Sequence, residues 1–210
     1  MQKTLTIRMS NGLGNQMFMY ASALAIALKM NRKLLIDDET SFLSKKNISI
    51  YSLDIFKLSN FIAPKELKFK NFYGYLKRKI LIKFNKFRNN KLFYIEKKNN
   101  FKITKFQKDL FKNNLLNNIF LEGHLETEKY FKNIRNTILK EFKFNKIELF
   151  KKIKIFKIIN NKNTVAICLR QNRFTEGKTN NIDIHKKNSK IFTIEQINFI
   201  NKSIEYFLKN

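Results

Sequence analysis

Two short segments carry residue types able to bind and transform a ligand. The first is Gly12-Leu13-Gly14-Asn15-Gln16, set between an apolar run and a helical pattern. Glycine lets a backbone approach a ligand closely. A helix N-terminus offers free N–H groups to an anion, and Asn and Gln side chains add neutral donors and acceptors for hydroxyls. The same residues also suit a plain strand-to-helix turn. They lack a third glycine at dinucleotide spacing and a P-loop lysine. The second segment runs from Val165 to Phe174, where an apolar strand pattern delivers Arg170 to its end and Arg173 follows in the loop. Open α/β sheets bind ligands outside the carboxyl ends of their strands. A guanidinium there can grip a phosphate through two hydrogen bonds and stays charged at any working pH. An arginine reaching from a strand end into water is the plainer alternative.

Transfer to a hydroxyl also calls for a general base. Glu122, Asp37 and Asp38 stand at the ends of apolar runs. Glu122 is the candidate, with a solvated carboxylate as the alternative for each. His124 and His185, the only histidines, are given no catalytic role. The single Cys168 excludes an internal disulfide framework and a Cys-based zinc site.

These residues need elements to position them. Thr4 to Arg8 reads as a strand and Gln16 to Met30 as a helix, with Met17, Tyr20, Ala21, Leu24 and Leu28 at helical spacing. Lys33 to Asp37 reads as a second strand. Such strand–helix alternation predicts a parallel α/β sheet. The stretch from about Lys65 to Asn118 interleaves basic and aromatic residues. It is expected to form a basic helical insertion, whose amphipathic helix either packs its aromatic stripe on the core or lies on a membrane surface. Ile119 to Gly123 reads as a strand with a glycine stop. Helices are expected over Glu126–Phe142 and Lys146–Ile159. Asn160 to Asn163 reads as a linker, Thr164 to Leu169 as a buried strand, and Thr193 with Gln196 as the capping box that opens a last helix.

Across the 210 residues, hydrophobic residues make up 43%, too many for a disordered chain. No stretch is apolar for long enough to predict a transmembrane helix, and Met1-Gln2-Lys3-Thr4 does not open like a signal peptide. With one cysteine, these features predict a cytoplasmic protein. The net charge of +27 invites a nucleic-acid reading. The excess of Lys, Asn, Ile and Phe, however, is what an A+T-rich coding sequence supplies without selection for a partner. An acidic partner, such as an anionic membrane surface or a nucleotide-linked donor, is the alternative.

Asn11-Gly12-Leu13-Gly14-Asn15-Gln16-Met17-Phe18-Met19-Tyr20-Ala21 closely resembles the N-terminal signature of bacterial α-1,2-fucosyltransferases (glycosyltransferase family 11), Gly-Gly-Leu-Gly-Asn-Gln-Met-Phe-Gln-Tyr-Ala. Leu121 to Phe131 resembles that family's Gly-Tyr-x-Gln-Ser-Glu-Lys-Tyr-Phe segment, and Tyr51 to Phe56 fits an earlier stretch more loosely. Around Arg170 the match to His-x-Arg-Arg-x-Asp is partial. Arg170 falls on the first arginine, while Cys168, Gln171 and Arg173 replace the histidine, second arginine and acid.

The resemblance implies a GT-B-like fold. Residues 1–160 would form a Rossmann-like acceptor-side domain with the basic helical insertion around 65–118, and 161–210 the beginning of an incomplete donor-binding domain. It also implies inverting, metal-independent transfer of L-fucose from GDP-fucose to the 2-hydroxyl of a galactoside in a surface glycan, with no further cofactor. The sequence has no Asp-x-Asp pair to hold a divalent ion, so cationic side chains would stabilise the departing diphosphate. The expected site is Arg170 and Glu122 for catalysis, with Gly12, Gly14, Asn15, Gln16, Arg170 and Arg173 for the donor. Peripheral contact with the inner face of an anionic plasma membrane is a further expectation. The alternatives are a basic non-catalytic binding protein, for nucleic acid or an anionic membrane, and an inactive fucosyltransferase fragment.

Overall fold

The structure is a computed structural model and describes residues 2–43, 49–97, 105–145, 158, 167–171 and 182–209. It divides into two compact units, Met1–Ile147 and Glu148–Asn210. The expected linker Asn160–Asn163 and the helix expected over Lys146–Ile159 fall, apart from Ile158, outside the described residues.

The first unit is a mixed α/β layer structure. Five strands, β1 (Thr4–Arg8), β2 (Lys33–Asp37), β3 (Phe61–Ile62), β4 (Phe93–Ile95) and β5 (Asn118–Glu122), form one sheet in the order β3-β2-β1-β5-β4. Every pairing is parallel, with Leu5 beside Leu34 and Ile119, and Ile7 beside Ile36 and Leu121. These six side chains are buried to within 1%. Burial of each aliphatic side chain stabilises the unit by about 1.5 to 3 kcal/mol.

Helix α1 (Leu13–Lys29) covers that face with Met19, Tyr20, Ala23, Leu24, Ile26 and Ala27. Small residues on this helix let it approach the sheet closely. Its end is set by Asn31, whose φ of 53° lies in the left-handed region. The Asn31 amide donates to Leu28 O, and the Arg32 amide to Ala27 O at 2.9 Å. This is the double closure that satisfies the last carbonyls of a helix. Arg32 then seals the amino edge of the sheet. It is 5% exposed and donates to Thr4 O, Asn117 O, Asn114 O and Asn113 Oδ1. Burial depresses its pKa.

The other face is aromatic. Phe69, Phe93 and Phe120 meet with ring centroids 5.0 to 5.8 Å apart. Helix α2 (Asn71–Asn85) lies on this side. Asn71 Oδ1 caps it by accepting from the Gly74 amide. A Cβ at Gly74 would come within 2.7 Å of the Phe69 backbone, so glycine permits the close start.

Several expectations are corrected. The stretch around 65–118 is part of the sheet as well as a helix, because it supplies β4 and the buried Phe93, Tyr94 and Leu110. A three-residue strand among Lys and Asn shows no readable alternation. No residue of α2 is buried, so its aromatic stripe does not pack on the core. The helix expected over Glu126–Phe142 is broken into one-turn 3-10 segments, Glu128–Tyr130 and Lys132–Ile134, before α3 (Arg135–Glu141). The break comes at Phe131, whose φ of −123° leaves the helical region.

In the second unit, α4 spans Ile182–Lys209. Thr193 lies inside it rather than at its start, with its hydroxyl donating back to Ser189 O at 2.8 Å. That bond satisfies the hydroxyl without a cap. Of the strand expected over Thr164–Leu169, the described Ile167, Cys168 and Leu169 form no strand, and Ile167 and Leu169 are exposed.

Candidate functional site

Strand order turns at β1. The chain leaves β1 toward β2 on one side and returns beside β1 on the other as β5. In open parallel sheets this is where ligands bind, outside the carboxyl ends. Two loops meet there: Met9 to Gly12 after β1, and Gly123 to Leu125 after β5. Asn11 Nδ2 lies 3.3 Å from His124 Nε2 across the gap.

The β1 loop is built to be open. Asn11 has φ 63°, a left-handed conformation that asparagine tolerates better than most residues. Gly12 caps α1 with extended backbone and no side-chain cap, and the first turn carries no acid. A Cβ at Gly12 or Gly14 would meet nothing within 4 Å. The first turn of this 17-residue helix thus has room beside its glycines and no side-chain cap on its amides, an arrangement suited to an anion. Asn15 is half-buried beside them.

Gln16 plays a different part. It is fully buried. Its Nε2 donates to Asn11 O and Ile50 O, both at 2.7 Å, and its Oε1 accepts from the Ser52 amide at 2.9 Å. The amide is consumed in holding the loop, which leaves nothing to offer a donor. Tyr20 is also an anchor, donating to Glu141 Oε2 at 2.7 Å and accepting from Asn60 Nδ2.

Glu122 is gripped from both sides. Arg8 Nη2 lies 3.1 Å from its Oε2, and Arg78 of α2 donates to Oε1 through Nε at 2.7 Å and to Oε2 through Nη2. The carboxylate side chain is 6% exposed. With both oxygens held by guanidiniums, this geometry suits a clamp that positions Arg8 and Arg78 better than a base. The other carboxylates are also engaged. Asp37 Oδ1 accepts from the amides of Glu39 and Thr40, and Asp38 pairs with Lys68 at 2.6 Å. Hydrogen bonds from Lys68 and Lys70 hold Glu39 below the ordinary carboxylate pKa.

His124, which sequence reasoning set aside, is the accessible acid–base group at this edge. It is about half exposed, and its Nδ1 lies 3.5 Å from Glu126 Oε1. Asn11 Nδ2 can donate to Nε2 when that nitrogen carries no proton. Glu96 sets this loop by accepting from the amides of His124 and Leu125 at 2.8 and 3.0 Å. Nothing in the spacing of His124 marked it, because Asn11 and Glu96, which fix its ring and backbone, come from the ends of other strands.

In the second unit, Gln196 of α4 holds the backbone of Arg170, donating to its carbonyl at 2.9 Å. Arg173 lies outside the described residues. A cavity of about 790 Å³ in this unit is lined by Ile167, Cys168, Phe199, Ile200, Tyr206 and Phe207, with Lys202 as its one cation among the described residues. So apolar a lining does not suit a diphosphate. Among the described residues no helix is long and apolar enough to cross a membrane.

The fold and this edge define an α/β protein with an open parallel sheet and a loop–helix junction at its turning point. Comparison with protein-family models, curated proteins and solved structures finds no match to this chain.

Proposed function

We propose that this chain is a divergent inverting fucosyltransferase of the α-1,2 type, GT-B-like in fold, acting on GDP-fucose and a galactoside hydroxyl. The observation that carries the reading is the place of the Asn11–Ala21 signature. Its Gly12 and Gly14 are exposed at the carboxyl edge with half-buried Asn15 beside them, while Gln16 braces the segment through Asn11 O. Where the resembled signature has its first glycine, Asn11 occupies a left-handed conformation. The signature's chemistry and the local backbone thus agree.

In the proposed reaction the acceptor hydroxyl oxygen bonds to the fucose anomeric carbon as the bond from that carbon to the β-phosphate oxygen breaks. GDP departs with the electron pair, and the hydroxyl proton passes to a base. Gly12 to Asn15, the cap and first turn of α1, hold sugar or phosphate oxygens through backbone amides and the Asn15 side chain. Cationic side chains offset the charge on the departing diphosphate, the role that the resemblance gives Arg170. His124, with Glu126 beside its Nδ1, accepts the proton on Nε2 as the acceptor hydroxyl displaces Asn11 Nδ2 from that nitrogen; Glu122 has both oxygens held by arginines.

Thermal unfolding with and without ligand tests this. GDP-fucose or GDP at a hundred times its Kd raises stability by about 2.7 kcal/mol, and Arg170→Ala abolishes most of the gain. His124→Asn keeps the stabilisation and lowers GDP release. Absence of any GDP-dependent stabilisation sinks the proposal.

A further inference from the structure

Helix α2 is mounted inside out. It leans on the body of the unit through Gly74, Arg78, Leu81, Ile82 and Asn85. Arg78 grips Glu122, and Asn85 accepts from the amides of Leu92 and Phe93 and donates to Phe93 O. These positions recur every three or four residues, so they share one face. The opposite face carries Phe72, Tyr73, Leu76, Ile80, Phe84 and Phe87, which are 44 to 79% exposed. Soluble proteins rarely leave such a contiguous apolar stripe to water.

Charge flanks the stripe. Between Glu66 and Glu96 the chain has no acidic residue. Lys68 and Lys70 pair with Asp38 and Glu39, and Arg78 with Glu122. Lys77, Lys79, Lys83, Lys86 and Arg88 have no carboxylate partner among the described residues. Lys79 lies over the Tyr75 ring at 4.5 Å and Lys86 over Phe87 at 4.8 Å. The Lys79 and Lys86 ammonium groups thus sit over aromatic rings of this surface.

We infer that α2 is a docking surface for an anionic lipid bilayer, with the Phe72–Phe87 stripe entering the headgroup boundary and the surrounding cations meeting lipid phosphates. Aromatic and aliphatic side chains on one face with lysines beside them are the pattern of a helix lying in a membrane interface. Charge complementarity selects anionic over zwitterionic lipid. A polyanion such as RNA would satisfy the cations and leave the apolar stripe wet. The inference stands on α2 alone and does not depend on the proposed catalytic function.

The chain has no tryptophan, so Phe84→Trp in the otherwise intact protein places a single reporter on the stripe. With phosphatidylcholine vesicles containing phosphatidylglycerol, its emission is expected to shift to the blue and the protein to sediment with lipid. Pure phosphatidylcholine should give neither. Replacing Lys77, Lys79 and Lys83 together by Gln lowers partitioning by about a hundredfold, at about fivefold per charge. Leu76→Ser with Ile80→Ser lowers it by at least about tenfold. All these side chains are exposed, so the variants should fold, which circular dichroism checks. The inference is overturned if anionic vesicles are not bound, or if binding ignores the apolar substitutions and equals that to RNA. It is also overturned if the Trp is already shielded without lipid, as a second copy on the stripe would cause.

Discussion

Replacing Glu122 by alanine leaves Arg8 and Arg78 facing each other with no carboxylate between them. Glu122 is almost wholly buried, Arg78 is 15% exposed at its side chain and Arg8 is 28%. Breaking a buried ion pair by removing one partner costs about 3 to 5 kcal/mol. Solvent at Arg8 screens part of the leftover repulsion, so the lower end, about 3 kcal/mol, is expected. For a chain of this size that is a fall in Tm of about 6 to 12 °C, read by circular dichroism. Added salt should restore part of it by screening the two cations. Glu122→Gln, which keeps an acceptor for Arg78 Nε, should fall between the two. In a double-mutant cycle, Arg78→Ala combined with Glu122→Ala should cost less than the sum of the single changes, with a coupling of about 1 to 3 kcal/mol. If Glu122→Gln unfolds like the wild type yet loses GDP release, the clamp reasoning is refuted and Glu122 is the base after all.

Other consequences follow from the same geometry. Gly14→Ala should stabilise the protein by about 0.5 to 1 kcal/mol, the ordinary cost of glycine in a helix, because the new methyl meets nothing within 4 Å. The same variant should bind GDP-fucose more weakly in calorimetry, and unchanged affinity would remove the loop from the site. Gly123→Ala should cost at least about 2 kcal/mol in urea unfolding. Its Cβ would lie 2.4 Å from Glu96 Cβ, at a φ of 157°. Burial first, and then its hydrogen bond to Glu141, raises the Tyr20 hydroxyl well above its ordinary pKa. The neutral form is therefore favoured by folding, and its contribution is complete below a pH of about 10. Above that it is lost at about 1.4 kcal/mol per pH unit as the pH rises toward the folded value. Tyr20→Phe should flatten this alkaline decline in stability, and an unchanged slope would show that other groups cause it.

The strands Thr4–Arg8 and Lys33–Asp37 were legible to the residue, because each is an apolar run with neighbours on both sides. The junction after β1 was legible because glycines and a following helical pattern mark it locally, but the helix expected from Gln16 begins at Leu13 and takes Gly14 and Asn15 into its first turn. What could not be read depends on contacts between distant segments. The strand Phe93–Ile95 exists because Phe120 and Leu121 lie beside it. Gln16 looked like a ligand group until Asn11, Ile50 and Ser52 were found consuming its amide. Glu122 looked like a free carboxylate until Arg78, from a helix thought to be an insertion, closed on it. Thr193 and Gln196 fit a capping box in spacing, but each found another partner, Ser189 O and the Arg170 backbone.

The central claim, that the amides after β1 receive a sugar diphosphate, can be read residue by residue. GDP-fucose titrated into the nitrogen-labelled protein should move the amide resonances of Leu13, Gly14 and Asn15 most within the first unit, all saturating together. Resonances that stay still there while others shift, or that do not move at all, would contradict it.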